Sequence, residues 1–247
     1  IVTDIVPPGN DPHEYDPTPQ QITHLEDADA VLYLGGGFQP SIERALHELP
    51  SRVVRVDLRE DLDLLPDDPH VWLAPRNMEV MARNAADRLA AAGNLDTAGR
   101  RRLTASIAAA SATYLASLDT LDTEFRDGLA HCATRLVVSS HRSFAYLAAA
   151  YGLTQASIAG ISPGEEPSAK QLLAIIDTVR QQHVHTIFFD RNMPTDLART
   201  AARAAGATLA VLDPVETFTD AQRQQGIDYV HVMRGNLEAL RTGLDCT

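Results

Sequence analysis

No apolar run in this 247-residue chain approaches the ~18 residues that a membrane-crossing helix needs, so no segment reads as a span. No leader is visible ahead of Ile1, and a start without Met points to a processed or trimmed chain. Basic residues are outnumbered, 21 Lys plus Arg against 33 Asp plus Glu. The resulting net charge of −12 argues against nucleic acid and anionic membrane as partners. Cysteine is nearly absent: Cys132 and Cys246 allow one disulfide in an oxidising compartment or two unrelated thiols. There is no convincing repeat, no low-complexity tract and no His-Glu-x-x-His helix. Gly35-Gly36-Gly37 lacks the Lys-Ser/Thr of a P-loop and the spacing of a dinucleotide fingerprint, and reads as a tight turn. What remains is 45% hydrophobic and 22% charged, the balance of a folded chain large enough for one domain or two small lobes.

Short aliphatic runs alternate with amphipathic stretches. Strands are expected at Ala30–Leu34, Arg52–Asp57, Arg135–Ser139, Ala156–Ile161, Thr186–Phe189 and Thr208–Leu212. Most are apolar on both faces, as buried parallel strands are. Helices are expected at Thr18–Glu26, Pro40–Glu48, Asn77–Ala92, Phe144–Tyr151, Ser168–Gln181, Thr195–Ala205 and Ile227–Leu240. The alternation predicts an α/β fold with parallel sheets. From Thr97 to Leu129 the rhythm stops. Leu103, Ile107, Ala110, Tyr114, Leu118, Leu121, Phe125 and Leu129 recur in steps of three and four, one face of a helix. It reads as a spine between two lobes, or as two helices broken near Asp119–Asp122. Residues 1–95 then form an N-terminal lobe, 96–129 the link and 130–247 a C-terminal lobe.

Candidate chemistry lies in histidines. Asp-Pro-His occurs twice, at 11–13 and 68–70, each time in a loop ahead of a helical stretch. Proline fixes its own φ and restrains the residue before it, so His13 and His70 have little backbone freedom to lose on binding. His141 follows the run Leu136–Ser140, at the carboxyl end of a strand, where ligands bind in open α/β sheets. Asp190 and Asp213 also follow strands. Imidazole nitrogens plus one carboxylate make a tetrahedral set for Zn²⁺. His24, His47, His131, His183, His185 and His231 sit on helices or flank strands and are not expected to bind. Trp72 and Tyr146 are expected in the core or a pocket wall.

Taken in order, DPHEYDPTP (11–19), ADAVLYLGGGF (28–38), DPHVWLAP (68–75), VVSSHRSFAYLAAAYGL (137–153), GISPGEEPSAKQL (160–172) and AVLDPVE (210–216) resemble the metal-binding receptors of ABC importers for zinc and manganese, the ZnuA/TroA-like cluster. The resemblance implies two α/β lobes on a long backbone helix, with metal in the cleft. It implies His13, His70 and His141 as ligands, and a carboxylate at Asp213 as the fourth, with Asp220 a rival and Asp190 behind the ligands. It implies residence outside the cytoplasmic membrane, periplasmic or lipid-anchored, and delivery of the ion to a membrane permease by a receptor expected to be monomeric. Family members carry about one more strand–helix unit before the first His motif, so an N-terminal lobe short of that unit is expected. The acidic stretch Asp57–Asp68 has no His, so no accessory metal-scavenging loop is expected.

The implied activity is capture and release without catalysis. A nitrogen-rich, four-coordinate site suits zinc, and manganese, which prefers more oxygen, is the alternative cargo. A zinc hydrolase is the rival reading. It needs an open coordination position and a base, for which Glu14 and Glu165 are the candidates. An adhesin or structural lobe holding an incidental metal is a third.

Overall fold

The computed structural model describes residues 1–93, 96–161, 167–190 and 195–247. The N-terminal lobe runs α1 (Pro19–Asp27), β1 (Ala30–Tyr33), α2 (Pro40–Glu48), β2 (Val54–Asp57) and α3 (Pro75–Ala91). Sequence sets the starts of these helices. Thr18 and Gln21 form a reciprocal capping box ahead of α1, and Pro19, Pro40 and Pro75 occupy first-turn positions whose N–H groups need no partner. β1 and β2 pair in parallel, Ala30 opposite Val54 and Tyr33 opposite Asp57.

α4 (Thr97–Gly128) is a single unbroken helix of 32 residues, capped by the Asp96 carboxylate on the Gly99 N–H. At 1.5 Å per residue it extends ~48 Å. Leu118, Leu121 and Phe125 are fully buried, whereas Leu103 and Ile107 are only partly covered and Ala110 is exposed. The spine is thus anchored through its C-terminal half, and it packs on α3 and on the last helix of the chain. No break falls at Asp119–Asp122. Asp122 is 2% exposed and accepts from Arg76 Nε at 2.9 Å, from Tyr151 Oη at 3.0 Å and from Arg126, which turns an expected weak point into a tie across the helix.

The C-terminal lobe continues with β3 (Leu136–Ser139), α5 (Ala145–Ala150), β4 (Thr154–Ser157), α6 (Ala169–Gln181), β5 (Thr186–Phe189), α7 (Asp196–Ala205), β6 (Thr208–Val211), α8 (Asp220–Gln224) and α9 (Tyr229–Gly243). Its parallel sheet has the order β4-β3-β5-β6. The chain reverses direction across the sheet between β3 and β5, the switch point where an α/β sheet opens a crevice. β4 lies two residues earlier than its apolar pattern suggests. Gly152, at φ +66°, ends the turn after α5, and Thr154 then pairs with Leu136. Cys132 and Cys246 form a disulfide that ties the approach to β3 to the C-terminus. One core joins the lobes: Val71, Trp72 and Leu73 pack with Leu118, Phe125, Phe188, Leu212, Tyr229 and Met233.

Candidate metal centre

Three Asp-Pro turns of one design face the cleft. In each, the Asp Oδ1 accepts the backbone N–H two residues on: His13 to Asp11 at 2.8 Å, His70 to Asp68 at 2.9 Å and Val215 to Asp213 at 2.8 Å. Such Asx turns close a loop through the side chain, and the intervening proline stiffens it. Asp68 does more. The same oxygen lies 2.8 Å from His70 Nδ1, which fixes the ring and turns Nε2 outward. His141 is positioned through its backbone: its carbonyl accepts from Ser139 Oγ at 2.7 Å and from Gln155 Nε2 at 3.2 Å.

These turns bring three imidazoles to one carboxylate, and that carboxylate is Glu216. Its Oε1 lies 3.6 Å from His13 Nε2, 3.3 Å from His70 Nε2 and 3.3 Å from His141 Nε2. All four side chains are at most 6% exposed. Ligating atoms of His13, His70 and Glu216 all lie within 4.8 Å of one another, and His141 joins through its contact with Glu216. The His13 and His70 Nε2 atoms are buried without a hydrogen bond among the described residues. Aromatic rings wall the group. Phe38 meets His13 edge-on at 4.6 Å, and Trp72 lies 5.2 Å from His70.

Electrostatics follow from this packing. Burial opposes ionisation of Glu216, but the His13, His141 and His70 imidazoles that close on it outweigh it and hold the carboxyl well below its usual range. Burial likewise opposes charging of His70, yet the Asp68 and Glu216 carboxylates outweigh it and raise the imidazole. The cluster is therefore built for an ionised carboxylate facing a positive charge.

Of the sequence candidates, His13, His70 and His141 converge on Glu216, whereas Asp213 is not in the group of close ligating atoms formed by His13, His70 and Glu216 among the described residues. It is buried, with its Oδ1 closing the turn at Val215, and its backbone is clasped by Asn236, which accepts at 2.8 Å and donates at 2.7 Å. The chain then passes through Val215 in the left-handed region, φ +55°, and delivers Glu216 to the imidazoles. A branched residue held there costs of order 1–3 kcal/mol. Asp220, the rival, is the exposed first residue of α8. Asp190 is buried at the end of β5, its N–H donating to Ser140 Oγ. Glu14 is exposed, and Glu165 lies outside the described residues. The other six histidines are exposed. The glycine triplet is a turn filled by the protein's own carboxylates, Gly35 N–H on Asp57 and Gly37 N–H on Glu43, and it sets Phe38 against the site. Glu216 had one weak signal: Asp213-Pro214 repeats the Asp-Pro that precedes His13 and His70, as Asp16-Pro17 also does.

Two parallel-sheet lobes on one long helix, with imidazoles gathered between them, define the class of helix-spined solute-binding receptors. The chain belongs to the ZnuA family, zinc-uptake complex component A periplasmic, whose model matches residues 1–243. It is 31% identical to the zinc-binding lipoprotein AdcA of Streptococcus pneumoniae over 96% of this chain and 50% of that protein. The chain thus spans about half the length of the AdcA proteins it matches. The high-affinity zinc uptake system protein ZnuA of Bacillus subtilis is 28% identical, over 97% of this chain and 79% of that one. The crystal structure of the Zn(II)-bound ZnuA-like domain of Streptococcus pneumoniae AdcA superposes with a TM-score of 0.82 at 31% identity, covering 98% of this chain and 89% of that domain. The laminin-binding protein Lmb of Streptococcus agalactiae, described as a bifunctional adhesin and metal transporter, gives 0.80 at 27% identity, covering 94% of this chain and 86% of that one.

Proposed function

We propose that this chain is the zinc-capturing receptor of an ABC importer, holding one Zn²⁺ through His13, His70, His141 and Glu216 and passing it to a membrane permease. One observation carries the reading. Zinc at ~2.0–2.1 Å from each of four ligands places those ligands ~3.3–3.4 Å apart, the edge of a tetrahedron. The three Nε2–Oε1 separations are 3.3 to 3.6 Å. Small ring movements, chiefly of His141, complete the shell around an ion. Three nitrogens and one oxygen favour zinc over manganese.

Residues 1–95 and 130–247 supply ligands from opposite lobes, so the ion clamps them together, and the helix 96–129 restricts closure to small tilts. Four protein ligands leave no position for a reactive water, which favours a receptor over a hydrolase. The Cys132–Cys246 disulfide suits an oxidising compartment, in keeping with the periplasmic description of the family and the lipoprotein name of AdcA. Metal analysis of protein purified without chelator should find one zinc per chain, and zinc should outcompete manganese. Protein that binds no zinc, or zinc-restored ester hydrolysis, would count against the reading.

A further inference from the structure

We propose that Trp72 is the positioning residue for Glu216, a clasp across the cleft that makes the fourth ligand of one lobe depend on the histidine-bearing turn of the other. The inference rests on the ligand set proposed above. Trp72 stands two residues after His70, and Pro214 two residues before Glu216. The Trp72 indole Nε1–H donates to the Pro214 carbonyl at 2.8 Å, and this bond is buried. From the C-terminal lobe, Tyr229 Oη donates to the Trp72 carbonyl at 2.7 Å, also buried.

The bond acts on a single peptide unit. The carbonyl of Pro214 and the N–H of Val215 belong to the same plane. Trp72 holds the first and Asp213 Oδ1 holds the second at 2.8 Å. The tilt of that plane sets φ of Val215, and Val215 is at +55°, where a branched side chain does not stay of its own accord. Release of the carbonyl lets Val215 relax and turns Glu216 away from the imidazoles. Val215 is partly buried against the core, yet its packing on that side is incomplete. A cavity of about 220 Å³, lined by Leu34, Phe38, Trp72, Val215 and Phe218, lies against the strap. Beyond Glu216, the described residues tie the stretch 215–223 to the N-terminal segment only at exposed points, the Gly9 N–H on Thr217 Oγ1 at 2.8 Å and the Arg223 guanidinium on Asp4.

Trp72 is the only tryptophan in the chain, so β-(3-benzothienyl)alanine, which keeps the ring shape and replaces N–H by sulfur, can be incorporated at this position alone. W72F is the simpler companion, and both are made in the native and E216Q backgrounds. Zinc affinity and release are measured by chelator competition on the whole chain, and folding of each variant by thermal melting without metal. In the native background, removal of the N–H should weaken zinc about tenfold through faster release, the scale of a lost partner behind a ligand. The metal-free melting temperature of the isostere should stay close to native. In E216Q the same replacement should change zinc affinity less than twofold, because nothing remains to position. Equal weakening in both backgrounds would show that Trp72 acts on His70 or on lobe packing, and no weakening in the native one would also overturn the clasp. Native zinc affinity in E216Q alone would overturn the ligand set, and the clasp with it.

Discussion

A single carboxylate oxygen of Asp68 takes both the backbone N–H and the Nδ1 of His70, at 2.9 and 2.8 Å. Asp11, in the matching tripeptide, takes only the backbone N–H of His13 among the described residues. The two aspartates thus look equivalent in sequence and differ in chemistry. Asp68 fixes a backbone and a tautomer, and Asp11 fixes a backbone. Asp68→Ala should weaken zinc binding by ~10–100-fold, the range for losing a partner that orients a ligating imidazole. Asp11→Ala should weaken it several-fold less. Titration of both variants with zinc against a chelator checks the order, and a larger loss in Asp11→Ala would show that the Nδ1 contact is idle.

Glu216 and Asp213 separate in the same way. Glu216→Ala removes the one carboxylate that all three imidazoles approach among the described residues, and zinc affinity should drop by two orders of magnitude or more. Asp213→Asn keeps an oxygen acceptor for the Val215 N–H, so the turn should survive and affinity should fall by less than tenfold. Matched melting curves check that neither variant is simply misfolded. If Asp213→Asn abolished binding while Glu216→Ala did not, the roles would be reversed.

The fold and three of the site's residues are written in local signals. Proline and Ser/Thr caps mark the helix starts, buried aliphatic runs mark the strands, and two Asp-Pro-His turns announce His13 and His70. The spine is legible because its apolar residues keep step across a gap where no Pro or Gly intervenes. The fourth member of the proposed set, the Glu216 carboxylate, is not legible by the same rules. A strand-end argument selects Asp213, which follows β6 directly, and nothing local says that Val215 adopts a positive φ. That conformation is imposed from 142 positions away, by Trp72 on the Pro214 carbonyl. Asp122 resists for the same reason: its partners Arg76 and Tyr151 come from other elements, so a charged residue that looks like a helix break is a buried tie.

The pKa directions fix how binding should respond to pH. Burial opposes the charge on His70, and its neighbouring carboxylates raise it above its ordinary ~6.5. The metal-free cluster therefore gains stability from this proton below ~6.5 and loses it as pH rises through the raised value. Glu216 is held well below its ordinary ~4.3, so its contribution is present above that value and lost only in stronger acid. Zinc needs the imidazoles neutral, so protons compete through the histidines while the carboxylate stays ionised. Below the raised His70 value, apparent zinc affinity should fall about tenfold per pH unit for each proton displaced. The zinc-induced rise in melting temperature should accordingly be much smaller at pH 5.5 than at pH 7.5, with no matching fall in the metal-free protein. Calorimetry at the two pH values checks it, and an equal zinc-induced rise would show that no imidazole proton is displaced.

The disulfide and the metal centre lie at opposite ends of the C-terminal sheet. Cys132 precedes the start of β3, whereas His141 follows its end. The bridge closes a loop with a sequence separation of 114, which takes in β3 to β6 and all of α9. Cross-linking a loop of about this length restricts the unfolded chain by ~4–5 kcal/mol in the chain-entropy account. It also holds the last strand-like contact, the Thr247 N–H on the His131 carbonyl at 2.9 Å, against fraying of the C-terminus. Replacing both cysteines with serine should therefore lower the metal-free melting temperature by many degrees. Zinc affinity at a temperature where the variant is still folded should change less than threefold, because the Asp-Pro turns and the Glu216 strap draw on neither sulfur. Reduction of the native protein should reproduce the stability loss, and zinc should offset part of it, since an ion that binds only the folded state stabilises by mass action. If loss of the bridge instead weakened zinc strongly while leaving melting unchanged, the sheet would be transmitting strain to His141, and the two ends would not be independent.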